Sequence, residues 1–186
     1  MRSALATLLL CGLGVMTQPG HADDTLPRNY LAYSDSFASA GQPSAAQLKQ
    51  LADAGLERVI YIAYSDHDGS LANEDRIVKS LGLDYVHIPV EWTAPTRGDY
   101  EQFAAAMRAA PDKRTLLHCQ ANFRASAFAL LYRVLEQDIP LAQAKADMNQ
   151  VWTPTPVWND LVLSILRDNG VDSDCEGCDW TPHIPE

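Results

Sequence analysis

Basic residues are scarce in this chain. Fourteen lysines and arginines stand against 24 aspartates and glutamates over 186 residues, a formal net charge of −10. A nucleic-acid binder needs a basic face to meet phosphates, so the balance argues against that class. It argues equally against an electrostatic hold on an anionic membrane surface. Cysteine is scarce as well, and four are too few for a disulfide scaffold at this length. No apolar run reaches the ~20 residues that a membrane-spanning helix requires. Internal repeats and low-complexity tracts are absent. What is present is a 47% hydrophobic chain long enough for one domain with a real core.

The N-terminus reads as a targeting segment. Arg2 is its only charge, an apolar run covers residues 4–16, and Thr17 to Gly20 break it. Gly20-His21-Ala22 places small residues at the −3 and −1 positions of a cut before Asp23. Leu10 before Cys11 has the wrong size for a lipoprotein cut. We therefore expect residues 1–22 to be a signal peptide, and the mature protein to be periplasmic or secreted without membrane insertion. The mature chain would have 164 residues, a charge of −11, and three cysteines: Cys119, Cys175 and Cys178. An odd count in an oxidising compartment implies one pair and one free thiol. Cys175 and Cys178 sit in a C-x-x-C within an acidic tail, residues 171–186, and are expected to form a local disulfide. Zinc would need four ligands there, and His183 offers only a third. Asp66-His67-Asp68 has no further ligand spaced nearby and reads as a solvated loop. No metal or cofactor is expected.

Residues 23–170 read as one domain. Ser44 and Gln47 fit a capping box, and Leu48, Leu51 and Ala52 follow at helical spacing up to Gly55. Residues 59–64, 85–90 and 115–118 are short apolar runs expected to be strands. Helices are expected over 73–81, from a Thr96-x-x-Asp99 cap to about residue 110, over 124–136 and over 141–151. A last one follows a break at Pro154 and Pro156, marked by Trp158, Leu161, Val162 and Ile165. Residues 30–40 read as extended. The alternation predicts an α/β layer fold with a mostly parallel central sheet.

The third strand runs into His118-Cys119-Gln120-Ala121-Asn122-Phe123-Arg124-Ala125-Ser126 and then directly into an apolar helix. A strand-to-helix loop aims successive backbone N–H groups at one point, and the helix dipole adds positive potential. A cysteine at the base of such a loop would be held as a thiolate. Arg124 could reach over the loop and grip an oxyanion with two N–H groups. Asn122 occupies the middle, where the backbone is expected to turn through positive φ. Nucleophile, amide cradle (Gln120, Ala121, Asn122, Phe123, Ala125, Ser126) and cation then lie within one turn, a constellation suited to covalent catalysis on an anionic group.

His-Cys-Gln-Ala-x-x-Arg-x-Ser resembles the active loop of cysteine-dependent protein tyrosine and dual-specificity phosphatases. Ser39-Ala-Gly-Gln-Pro43, the Ala54-Gly55 turn, Val59 to Ile62 and Tyr85-Val-His-Ile-Pro-Val90 resemble the beta-lactamase-hydrolase-like, phosphatase-like domain family. The similarity spans roughly residues 35–136. It implies a three-layer fold with helices on both faces of the sheet, Cys119 as nucleophile, and a small-molecule or protein phosphate ester as substrate. His118 would correspond to the histidine that orders the phosphatase loop. Two departures stand out. The phosphatases place Arg six positions after Cys, whereas Arg124 is five after Cys119, the spacing of rhodanese-type sulfurtransferases. The phosphatases also carry an acidic proton donor soon after the Ile-Pro-Val strand. Here Glu91 is near that place and Asp99 is the next candidate, although Asp99 fits a helix cap. Three functions follow as expectations. The first is a phosphate-monoester hydrolase. The second is a sulfurtransferase carrying a persulfide on Cys119 between a sulfur donor and an acceptor. The third is an oxyanion-binding or interaction module without turnover.

Overall fold

The computed structural model describes residues 26–184. The proposed signal peptide lies outside the described residues. Five strands and six helices follow one another as β1 (Leu31–Ala32), β2 (Phe37–Ala40), α1 (Ala45–Asp53), β3 (Arg58–Tyr61), α2 (Glu74–Ser80), β4 (Asp84–His87), α3 (Arg97–Ala109), β5 (Thr115–His118), α4 (Phe123–Glu136), α5 (Leu141–Asn149) and α6 (Pro156–Asp168). The strand order is β1-β2-β5-β3-β4, with only β1 antiparallel. β5 is therefore central, and whatever follows it emerges at the middle of the sheet's carboxyl edge, where open α/β sheets place their ligands.

The pleat sorts the two faces. Val59 packs with Leu48 of α1 and Val78 of α2, and Ala38 and Leu116 pack with Leu51 of α1. Ile60 and Leu117 face the other way, into the main core with Phe103 of α3, Phe128 and Leu131 of α4, and Val162 of α6. α4 is buried without a break from Ala125 to Arg133, the position expected of a central helix.

The sheet is thus mostly parallel with helices on both faces, as the sequence predicts. Two local readings are corrected. The stretch 30–40 folds back into two paired strands, with Leu31 opposite Ser39. Pro156 begins α6 instead of separating elements, since a residue at the first helical position has no N–H partner to lose.

Candidate active site

Cys119 follows β5 and is buried at 1% exposure; it is the free cysteine among the described residues. The loop Cys119-Gln120-Ala121-Asn122 joins β5 to α4. Asn122 takes φ 70°, so the chain turns through the left-handed region where the sequence places its Asn. Its side-chain amide donates to the Asn29 carbonyl at 2.6 Å, and the Asn29 amide donates to the Ala121 carbonyl at 2.9 Å. The segment before β1 therefore clamps the loop reciprocally. The loop's other flank presses on Gly41, which bridges to Ala121. A Cβ at Gly41 would lie 2.8 Å from the Gln120 carbonyl oxygen and 3.0 Å from that of Arg28, both backbone atoms. Gly41→Ala is accordingly expected to destabilise the fold by about 1–3 kcal/mol, read from urea unfolding. An unchanged midpoint would show that the loop is not held against this strand.

Arg124 projects from the first turn of α4 back over the loop. One terminal nitrogen donates to the Val90 carbonyl at 2.9 Å and the other to Gln120 Oε1 at 2.5 Å. The Gln120 amide nitrogen in turn donates to the Tyr61 hydroxyl at 2.9 Å. The guanidinium carbon lies 5.7 Å from the centre of the Trp92 ring. Arg124 Nε is buried and has no protein partner. Phe123 opens α4, so the first N–H groups of that helix are free of intrahelical partners and face the loop end.

The other expected residues take distinct places. Ser126 is buried and its hydroxyl donates to the Phe123 carbonyl at 3.1 Å, within its own helix. Asp99 accepts from the Thr96 backbone and hydroxyl, both at 2.8 Å, and closes the capping box of α3. Glu91 is exposed and accepts from the Thr93 backbone and hydroxyl. Those hydrogen bonds hold its carboxyl below the usual range, with Arg124 adding to the effect. Asp66, His67 and Asp68 are exposed, and no metal-holding cluster occurs among the described residues. Cys175 and Cys178 are joined in a disulfide.

Sequence reading overlooked several participants. Glu74, at the start of α2, is buried with its Oε1 2.7 Å from His118 Nε2. Asn29, Tyr61 and Gln42 also reach the site's surroundings through hydrogen bonds that cross long sequence distances. Beside the loop, Trp92, Phe123, Trp152, Thr153, Thr155 and His183 line a hollow of about 410 Å³. Phe123 and Trp152 stack in parallel there, with ring centres 4.9 Å apart. The tail reaches this hollow because His183 donates its backbone N–H to Pro154 and Asn159 holds the Trp180 carbonyl.

No curated protein matches the chain. Among solved structures, it is similar to a DUF442 protein from Shewanella putrefaciens CN-32, with 33% identity and a TM-score of 0.70, covering 77% of this chain and 94% of that one. Tk-PTP in its active form shares 16% identity at TM-score 0.61, covering 76% and 95%. The core catalytic domain of the PP-IP phosphatase SIW14 from S. cerevisiae shares 12% at TM-score 0.61, covering 84% and 96%. These last two show a common fold. The family model for the DSP-PTPase phosphatase fused to NAD+ kinase matches residues 22–155. On that match, and on the loop geometry it encloses, the chain belongs to this family of protein tyrosine and dual-specificity phosphatase-like hydrolases.

Proposed function

We propose that this protein is an exported, cysteine-dependent phosphatase that hydrolyses a phosphate monoester through Cys119 and Arg124. The observation that carries the reading is the buried, unpartnered Nε–H of Arg124 beside the Cys119 loop. Its guanidinium is anchored through both terminal nitrogens, yet Nε keeps no partner and its N–H is left for an oxyanion. Cys119 Sγ attacks phosphorus, the S–P bond forms as the ester P–O bond breaks, and the leaving oxygen takes a proton from solvent water. Water then attacks the phosphocysteine, the P–S bond breaks, phosphate departs and the thiolate returns. Loop amides and Arg124 hold the phosphoryl oxygens through both steps. The test is phosphate release from 4-nitrophenyl phosphate; a wild type as inert as Cys119→Ser would sink the proposal.

The leaving group receives little help. Glu91 is held ionised by its Thr93 bonds, and Asp99 is committed to a helix cap. A general acid is worth ~10²–10⁴ in rate, so esters of acidic alcohols should be strongly favoured. We expect kcat/KM for 4-nitrophenyl phosphate to exceed that for phenyl phosphate by on the order of 10²-fold, with Glu91→Gln within about threefold of wild type. Equal rates for the two esters would reveal a proton donor at work. The hollow lined by Trp92, Phe123 and Trp152 supports an apolar leaving group, and the acidic chain disfavours polyanionic substrates.

Sulfur transfer is the second reading, favoured by the five-residue spacing from Cys119 to Arg124. Cys119 Sγ would then attack the outer sulfur of thiosulfate, the S–S bond of thiosulfate would break and sulfite would leave, and the added sulfur on Cys119 would be visible by mass spectrometry. Export rests on residues 1–22; cell fractionation that finds the full-length chain in the cytoplasm would refute it.

A further inference from the structure

The family match ends at residue 155, and the chain continues through α6 into the segment 171–184. That segment carries Asp172, Asp174, Glu176 and Asp179 and no Lys or Arg, a composition that predicts a solvated end. It is instead fastened to the domain at several points. The Cys175–Cys178 disulfide closes a tight turn, and both cysteines pack on the main core. The Trp180 carbonyl accepts from the amide of Asn159, a buried residue of α6, at 2.9 Å. The Trp180 ring lies against Lys145 of α5, whose ammonium is 4.9 Å from the ring centre. His183 then donates its backbone N–H to the Pro154 carbonyl at 2.9 Å. Lys145 is 2% exposed, and its ammonium donates to Asn149 Oδ1 at 2.6 Å. Burial lowers the Lys145 pKa, and the Asp179 carboxylate of the segment opposes the shift. A buried charge is costly unless it has partners, so a lysine kept beneath Trp180 marks a segment built to stay in place.

These fastenings lead to the hollow beside the Cys119 loop. His183 supplies one wall, and Trp92, Phe123, Trp152, Thr153 and Thr155 supply the others. Two of them connect the hollow to the loop: Phe123 is the first residue of α4, and the Trp92 ring lies beside the Arg124 guanidinium. Its volume of about 410 Å³ is that of a small-molecule site. Its described walls include no Lys, Arg, Asp or Glu, so nothing there pairs with a charged group. Phe123 and Trp152 stack 5° from parallel, and Trp92 is tilted by about 40° to both. Such ring faces reward a flat aryl group by stacking, whereas an alkyl chain gains from area alone. We propose that the segment 171–184 is a specificity element: it places His183 as a wall of the leaving-group subsite, which selects flat, uncharged aryl esters over alkyl ones. The selectivity would belong to this chain, because the segment lies beyond the family match. The proposal deepens the phosphatase reading and rests on it for where the phosphoryl group sits, but its test reads binding and needs no turnover.

The experiment is calorimetric titration of methylphosphonate, hexylphosphonate and 1-naphthylphosphonate into the full chain, as wild type, Trp180→Ala and His183→Ala. The C–P bond of these probes resists hydrolysis, so each reports binding alone. Methylphosphonate has no group to enter the hollow and reads the loop by itself. We expect wild type to bind 1-naphthylphosphonate about tenfold tighter than methylphosphonate and about threefold tighter than hexylphosphonate. His183→Ala removes the wall and leaves the backbone contact to Pro154, so naphthyl affinity should fall by about threefold. Trp180→Ala releases the hold on Lys145 and should bring naphthyl affinity down to that of methylphosphonate, whose own affinity stays within about twofold. Naphthyl affinity unchanged in both variants overturns the proposal, and so does a wild type that binds the hexyl or the methyl probe as tightly as the naphthyl one. Should Trp180→Ala not fold, His183→Ala decides alone, and an unchanged naphthyl affinity there overturns the proposal equally. Phosphate release from 4-nitrophenyl phosphate separates the two readings. A naphthyl preference that depends on the segment, in a protein without turnover, supports the subsite and defeats the phosphatase reading. Full wild-type turnover, with both variants binding the naphthyl probe as wild type does, has the opposite meaning. A wild type that binds none of the probes overturns both.

Discussion

Cys119→Ser is expected to lose phosphate release from an aryl phosphate by on the order of 10⁴-fold, about 5.5 kcal/mol of transition-state stabilisation. The reason lies in the residue's place. Cys119 is buried just after the central strand, in the short loop that leads to the α4 N-terminus. A serine hydroxyl there is nearly the same size but stays neutral near pH 7, because an alcohol holds its proton far more tightly than a thiol does. The loop amides, the Asn29–Asn122 clamp and Arg124 are all untouched by the change. The variant should therefore fold and still bind phosphate, seen as a rise in Tm with added phosphate that matches the wild type. Retained turnover would mean that water, activated elsewhere, attacks phosphorus directly, and the covalent route would be wrong. Lost turnover with lost phosphate binding would mean that the thiolate organises the loop as well as reacting.

The sequence shows the parts of this site that depend on neighbours in the chain. The caps of α1 and α3 are readable because Ser44 with Gln47, and Thr96 with Asp99, bond over three residues. The turn at Asn122 is readable because positive φ selects a narrow set of residue types. β5 and α4 are readable because an apolar strand feeding an apolar helix has few other interpretations. What the sequence hides depends on register. Glu74 looks like any acid at a helix start until β3, β4 and β5 align Tyr61, His87 and His118 in one row above it. Asn29 looks like an irregular-segment residue until the segment before β1 returns to the β5–α4 loop, 92 residues away. The fold-back of β2 on β1 is hidden for a related reason. The turn residues Ser34, Asp35 and Ser36 are polar, but two residues of β1 are too few to show a period. The candidate general acids illustrate the converse case. Sequence distance brings Glu91 and Asp99 forward, and local hydrogen bonding then assigns each to another task.

Arg124→Lys tests whether the site needs a charge or a shape. Lysine keeps the positive charge and most of the length. It gathers all its donors on one nitrogen, whereas the guanidinium spreads five donors over a plane. In this loop the distribution matters. One terminal nitrogen is tied to Val90, the other to Gln120, and Nε remains for the substrate, so one group braces the loop on two sides while offering a donor to the oxyanion. An ammonium placed to reach the phosphoryl oxygens must release Val90 or Gln120. Releasing Gln120 also frees its link to Tyr61, and with it the connection to the His118 row. We expect kcat/KM to fall by about 10²–10³, the loss typical of removing one oriented oxyanion donor. Phosphate binding should weaken less than turnover, because the charge survives and only its geometry at the transition state is spoiled. The measurement is the pair of values, kcat/KM with 4-nitrophenyl phosphate and the phosphate-induced rise in Tm. A lysine variant within tenfold of wild type in turnover would show that positive charge alone suffices. The two-sided bracing of Arg124 would then serve the loop's stability, and the oxyanion would be held chiefly by the backbone amides at the start of α4.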